Sequence, residues 1–369
     1  MAAALPASPL AATASLSFFT LLYEADAGET NQVEASVTED HVVTIHDLGA
    51  VITAEAGCLS VDAHTVECPS IVAARMTLGD LDDAVSLPES FAVFRPVGVD
   101  VNGGPGADTL SSCAACFGLL DGDTGDDTLT GGRLAGGLGN DVLSGGDRND
   151  FLIGGPGNDT IRAGGGSDKI LPGSGDDAVD AGAGNHDRLD YDDEPGPMIV
   201  NLCTGVATGH GADTFVGVEI VAGSRRGDLL IGDEHANTFI GGDGPDIIRG
   251  GRGADRLNGG DPSWTGEVEG GDVLLGGAGD DFLTGLFGAD LILGGRGNDA
   301  LYGGAHADDL RGGRGRDRLS GGFQNDILRG GPGRDQLFGD FDADVLYARD
   351  RNRERVDGAA VWTAHVSTP

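Results

Sequence analysis

Lysine and arginine are scarce in this chain: 23 of 369 residues, against 60 aspartates and glutamates, for a formal net charge of −37. So acidic a chain is a poor partner for nucleic acid, whose phosphates need Lys and Arg, and for anionic membrane surfaces. Long hydrophobic runs are missing as well. No apolar stretch reaches the ~18 residues that mark a membrane-spanning helix, and none suggests a pore-forming segment. Cysteine is limited to Cys58, Cys68, Cys113, Cys116 and Cys203. The Cys113-Ala114-Ala115-Cys116 pair has no second pair to complete a four-ligand zinc site and no βαβ context for a redox role. A local disulfide or plain thiols remain. Cys58 and Cys68 read as a loop-closing disulfide between two short strands, or as two buried thiols. Neither His-Glu-x-x-His nor Gly-x-Ser-x-Gly occurs. The eight histidines are scattered, and His41 and His46 lie too far from partners to suggest a triad.

Glycine and aspartate are what the chain has in excess. It holds 67 glycines, 61 of them within residues 101–350, and 47 aspartates against 13 glutamates. Each interior glycine costs a helix about 1 kcal/mol relative to alanine, which excludes long helices there. The glycines come in pairs and not at every third residue, which excludes a collagen-like triple helix. The natural counterpart of this much carboxylate is a cation.

The two excesses share a nine-residue ruler. Acids recur at Asp141, Asp150, Asp159, Asp168 and Asp177, then at Asp228, Asn237 (the one amide), Asp246 and Asp255. A third run comprises Asp272, Asp281, Asp290, Asp299, Asp308, Asp317, Asp326, Asp335 and Asp344. Two residues after every anchor stands an apolar side chain, from Leu143 and Leu152 through Phe239 to Leu346. The residue between is variable (Lys169, Arg256, Asp309, Gln336), as expected where a strand points it outward. Before most anchors sits Gly-Gly-x-Gly-x, as in Gly136-Gly137-Leu138-Gly139-Asn140 and Gly294-Gly295-Arg296-Gly297-Asn298. Each unit therefore reads as a six-residue turn, with glycine supplying positive φ, and a three-residue strand. One inward side chain per strand makes no core alone, but stacked units do. Two units make an eighteen-residue coil, with apolar columns facing each other and an aspartate column along each edge.

Stacked carboxylates ~4.8 Å apart repel by ~0.8 kcal/mol per pair even at the dielectric constant of water. A hard divalent cation in each edge groove relieves this. Calcium, taking 6–8 oxygens from carboxylates and backbone carbonyls, fits a glycine-rich turn better than magnesium does.

The repeat resembles the RTX (repeats-in-toxin), or haemolysin-type, calcium-binding nonapeptide Gly-Gly-x-Gly-x-Asp-x-apolar-x over about residues 101–350. The resemblance implies an all-β fold, a right-handed parallel β-roll with two nonapeptides per coil, folding on calcium outside the cell. It also implies calcium ligation by anchor carboxylates and turn glycines. On the matching turns these are Asp108, Asp141, Asp159, Asp168, Asp177, Asp246, Asp255, Asp281, Asp290, Asp299, Asp308, Asp317, Asp326, Asp335 and Asp344. The glycines are Gly137, Gly139, Gly155, Gly157, Gly277, Gly279, Gly295, Gly297, Gly313, Gly315, Gly331 and Gly333, for an expected ten to fifteen Ca²⁺. Arg148, Arg226, His306 and Gln324 replace the third glycine of their turns. Asn237 and Asp272 follow poor turns, and Asp127 a degenerate one.

The expected organisation is a signal-like or flexible end over 1–14 with Ala12-Thr13-Ala14 as a cleavage candidate. A small β-rich cap follows over 15–100, then a repeat block over 101–187. An interrupted solenoid of looser turns covers 188–227, repeats resume over 228–347, and a polar cap closes 348–369. Gly79 to Val85 hints at a first, degenerate coil. Asp261 to Gly266 reads as a side loop in which Trp264 packs over the roll. Arg311, Arg314, Arg316 and Arg318 are expected on the outside of successive coils. The functional expectation is an exported calcium-binding protein with a structural or surface-interaction role, in contact with a cell surface or extracellular polymer and without catalysis. The alternative is a hydrolase or lyase with its site on a face of the solenoid, near Trp264 or the interruption.

Overall fold

The inward apolar residue of each nonapeptide and the glycine turn beside it produce an all-β fold. The structure, a computed structural model, describes residues 11–17, 20–25, 28, 30–37, 42–49, 51–54, 58–69, 73–87, 98–112, 118–260, 270–348, 355–357 and 362–363, with no helix among them. His41, Cys113, Cys116, Trp264 with its loop, and Arg349, Arg351 and Arg353 lie outside the described residues. The chain divides into two compact units, Met1–Asp187 and Arg188–Pro369.

In the first unit the strands Ala73–Thr77, Gly98–Pro105, Leu120–Thr124, Arg133–Leu138, Phe151–Ile153 and Lys169–Leu171 pair in parallel to form one wall. Ala84–Ser86, Thr109–Ser111, Thr128–Thr130, Val142–Gly146, Thr160–Gly166 and Ala178–Asp180 form the other. The degenerate coil anticipated at Gly79 to Val85 is a full member, since Ala84–Ser86 joins this ladder. Its other neighbour is Gln32–Val37, which turns the parallel wall into the antiparallel set Gln32–Val37, Val42–Asp47 and Thr65–Pro69. Tyr23 is fully buried at this end, and its hydroxyl donates to Asp47 Oδ2 at 2.6 Å. Cys58 and Cys68 form a disulfide beside the strand pair Leu59–Ser60 and Thr65–Pro69. Ala11–Ser17 is a strand paired with Thr20–Glu24 and Val51–Ala54, so Ala12 to Ala14 lie in a sheet.

The second unit repeats the arrangement, with Leu291–Arg296 against Asp309–Arg314 in one wall and Ala300–Ala305 against Arg318–Phe323 in the other. Partners are eighteen residues apart, as in Ile292↔Leu310 and Leu301↔Leu319. Six-residue strands here run on into the glycine turns, where Gly295 pairs with Gly313 and Gly304 with Gly322. The three-residue strand expected from sequence is too short for these coils, because backbone without side chains continues the ladder around the corner.

The interruption departs further from expectation. Arg188–Asp190, Ile199–Asn201 and Ile220–Ala222 keep parallel partners within the unit, but Ile199–Asn201, Val206–Thr208 and Ala212–Val216 form an antiparallel meander. Beyond Asp344, Arg355–Asp357 and Trp362–Thr363 add to the two walls.

All eighteen apolar residues that follow anchors are buried, none more than 4% exposed. Each contributes roughly 1.5–3 kcal/mol of burial. The outward position is less indifferent than it reads: Arg256 stacks over Phe282, and Arg318 over Phe338 at 4.4 Å. Arg311, Arg314, Arg316 and Arg318 do not form a patch over successive coils. Arg311 lies on Asp309–Arg314 and Arg318 on Arg318–Phe323, strands of opposite walls, with Arg314 and Arg316 toward the turn between them.

Leu319→Ala should therefore destabilise the folded chain by about 2–5 kcal/mol, while the outward Thr284→Ala stays within about 0.5 kcal/mol. Denaturant melts of both variants check this.

Candidate metal centre

Each anchor aspartate sits at the corner where a turn enters a strand, and its two oxygens have different surroundings. Oδ1 is structural. Asp141 N donates to Asp159 Oδ1, and Asp159 N to Asp177 Oδ1, each at 2.8 Å and eighteen residues apart. The second unit continues the pattern from Asp281 to Asp299 to Asp317 to Asp335, and from Asp272 through Asp290 and Asp308 to Asp326 and Asp344. Along these runs one carboxylate oxygen ties each coil to the one before it.

Oδ2 is different. In Asp108, Asp141, Asp159, Asp299, Asp308 and Asp317 it is buried and has no hydrogen-bond partner, in residues at most 2% exposed. A buried carboxylate oxygen without a donor is costly. It lies against the first glycine of its turn. A methyl group on Gly136 would stand 2.2 Å from Asp141 Oδ2 and 2.6 Å from the Gly154 carbonyl oxygen of the next coil. Gly294 repeats this, 2.5 Å from Asp299 Oδ2 and 2.6 Å from Gly312 O. The glycines of the turn therefore answer two demands. Gly137 and Gly139 take positive φ (105° and 148°), as expected from sequence. Gly136 does not, and is glycine because no side chain fits between a carboxylate and a carbonyl.

The substitutions follow this division. Asp123, Leu286 and Asp340 stand in place of the second glycine, and His306, Gln324 and Asp342 in place of the third, all with φ between 68° and 85°. The first residue of the same turns is Gly122, Gly285, Gly339, Gly303 and Gly321. Left-handed strain of order 1–3 kcal/mol is tolerated; a side chain at the crowded first position is not seen there.

Three anchors are closed by their own turns. Asp150 Oδ2 accepts from Gly146 N at 2.6 Å, Asp228 Oδ2 from Ser224 N at 2.6 Å, and Asn237 Oδ1 from Asp233 N at 3.0 Å. In an open turn that N–H goes to the next coil instead, as Gly137 N does to Gly154 O. Sequence reasoning passed over two other anchors. Asp127 Oδ2 lies against Gly122 as Asp141 does against Gly136, at 2.1 Å from a methyl placed there. Asp272 Oδ2 lies against Gly259, so its turn begins before the inserted residues 261–269 and is not the poor turn it reads as. Spacings of nineteen and fourteen around Asp127, and the insertion before Asp272, hid both from the ruler. A further ladder also went unread: Asn158 N donates to Asn140 Oδ1, Asp176 N to Asn158 Oδ1, and Arg316 N to Asn298 Oδ1. The signal was the recurrence of Asn or Asp just before the anchor.

No cluster of three or more His, Cys, Asp or Glu suited to a metal occurs among the described residues. The arrangement offers one carboxylate per turn with backbone carbonyls, a donor set of oxygens alone, which suits Ca²⁺. The interruption has a cavity of about 260 Å³ lined by Phe215, Glu219, Asp233, His235 and Asn237. His235 is exposed and pairs with Asp233 at 2.9 Å.

Burial raises the carboxyls of the open anchors, with neighbouring carboxylates adding to it: Asp299 and Asp326 to about 7, and Asp308 to about 8.

The RTX calcium-binding nonapeptide repeat family matches residues 119–133, 135–170, 231–261, 268–301, 284–319, 302–337 and 320–350. No curated protein matches the chain.

Carboxyls raised above their unfolded value of ~3.9 stabilise the fold fully below that value, and the contribution is lost as pH rises through their folded values of about 7 and 8. The metal-free chain should thus be more structured at pH ~5 than at pH ~8. Circular dichroism in chelator across this range checks it, and calcium affinity should rise with pH over the same interval.

Proposed function

We propose, on the premise that the chain is an RTX-type repeat protein, that it binds calcium along the edges of its β-roll and folds on doing so, outside the cell. The single observation that carries this is the row of buried Oδ2 atoms without hydrogen-bond partners in Asp108, Asp127, Asp141, Asp159, Asp299, Asp308 and Asp317, each beside a carbonyl and a glycine with no room for a side chain. Calcium placed there would supply the missing positive charge to Oδ2 while Oδ1 keeps its ladder bond. The anchors named from sequence, with Asp127 and Asp272 added, are the candidate carboxylate ligands, and the turn glycines are the candidate carbonyl ligands. Ten to fifteen ions would offset most of a net charge of −37.

The Cys58–Cys68 disulfide supports an oxidising, extracellular setting, where calcium is also plentiful. With the chain given over mostly to coils, we read its role as structural or surface-interacting, toward a cell surface or extracellular polymer, without catalysis.

The chain should be largely unfolded in chelator and β-rich in millimolar calcium; identical circular dichroism spectra in the two would sink the reading. Asp299→Ala should lower the number of bound ions by at least one, while Cys113→Ser leaves it unchanged, as equilibrium dialysis reports.

A further inference from the structure

We propose that one edge of the coils over residues 250–335 is a binding surface for a linear anionic polysaccharide, carboxylated or sulfated. The proposal rests on the reading of a contact with an extracellular polymer, and gives that contact a place and a chemistry. In a chain with only 23 basic residues, five arginines gather in the turns of this edge: Arg252, Arg296, Arg314, Arg316 and Arg334. All five are exposed. The turns of the opposite edge, at 241–246, 285–290, 303–308, 321–326 and 339–344, hold neither lysine nor arginine.

Parallel pairing sets the five in two rows. In the first, Arg252 pairs with Ala278, Ala278 with Arg296, and Arg296 with Arg314. A second row runs two residues further along each turn, where the Gly315↔Gly333 bridge sets Arg316 beside Arg334. Successive coils lie ~4.8 Å apart, so the four steps from the coil of Arg252 to that of Arg334 span about 19 Å. Among the described residues none of the five forms an ion pair. On the neighbouring wall, by contrast, Arg311 and Arg329 are both met by Asp309. Asp280, the one acid of these turns apart from the anchors, accepts from Asn298 N at 2.6 Å. The anchors Asp255, Asp281, Asp299, Asp317 and Asp335 are at most 2% exposed, so the surface of the edge is left to arginine.

Guanidinium groups on neighbouring coils repel one another, and no acid of the fold offsets this. A partner with carboxylates or sulfates recurring along its length does, through bidentate hydrogen bonds. A compact anion would meet one or two arginines, whereas a polymer meets the whole length of the rows. The rest of the surface restricts the width of the partner. The chain carries −37 overall, and Asp340 and Asp342 stand exposed on the opposite edge. A nucleic acid duplex or an anionic bilayer would reach past the edge to that acidic surface. A single polysaccharide strand follows the edge alone, and screening over ~8 Å keeps more distant acids from opposing it.

The full-length chain in calcium, its fold checked by circular dichroism, is titrated into four fluorescein-labelled probes with anisotropy as the readout. These are dextran sulfate, carboxymethyl dextran, uncharged dextran and a single-stranded DNA oligonucleotide. At least one charged dextran should bind, the tighter of the two telling sulfate from carboxylate, and uncharged dextran should not. Arg296→Gln/Arg314→Gln/Arg316→Gln should weaken binding about tenfold or more. Arg75→Gln/Arg133→Gln/Arg162→Gln removes the same charge from strands of the first unit and should stay within about twofold. Equal losses in the two variants, or uncharged dextran bound as tightly, overturn the arginine edge and leave the polymer contact standing. A folded chain that binds no dextran overturns the edge and counts against the polymer contact as well. Tighter binding of the oligonucleotide overturns the polysaccharide assignment. Should the edge variant fail to fold, Ala278→Arg fills the gap between Arg252 and Arg296 and should tighten binding severalfold; an unchanged affinity overturns the proposal.

Discussion

A buried carboxylate oxygen with nothing to donate to it is the constraint on which the rest of this structure turns. An aspartate at a coil corner has two oxygens and one backbone N–H to satisfy them, so one oxygen is left over at every open turn. Burying such a group costs several kcal/mol unless a positive charge meets it. The same side chain that completes the hydrogen-bonded ladder therefore creates the demand for a cation. On the proposed calcium reading, stability and metal binding would be one property, because the coil cannot have Oδ1 in place without Oδ2 beside it.

The glycines are the other half of that arrangement, and they are not equivalent. The second and third of each turn bend the chain through positive φ, a demand that Leu286, His306 and Gln324 also meet at some strain. The first glycine lets a carboxylate and the next coil's carbonyl close in where a side chain would stand. Where the oxygen is met from within, as at Asp150 with Gly146 N, the turn still stacks on its neighbours. Walls of Leu, Ile, Val and Phe hold the coils together in either case, since the inward column is buried beside open and closed turns alike.

Much of this was legible from residue spacing. The ruler from Asp272 to Asp344 with its apolar partner two positions on specifies parallel coils of eighteen residues, because a three-residue strand has no other way to bury one side chain. Asp127 and Asp272 were not legible, since irregular spacing to its neighbours takes Asp127 off the ruler and an insertion separates Asp272 in sequence from the first glycine of its turn, Gly259. The antiparallel meander from Ile199 to Val216 was also hidden. Short apolar runs read alike whether their partner lies one coil away or across a hairpin. The arginines from Arg311 to Arg318 misled for a related reason: half a coil separates opposite faces.

By itself, then, the sequence determined the class of fold, the repeat length, the inward column and the kind of ion it suits, all of which follow from local periodicity and the chemistry of oxygen ligands. Tertiary structure alone decided which aspartates present an unmet oxygen. That depends on whether a backbone N–H of the same turn folds back to it, as at Asp150, or goes to the next coil, as at Gly137. The choice is a matter of a few tenths of a nanometre, a distance that sequence spacing does not measure.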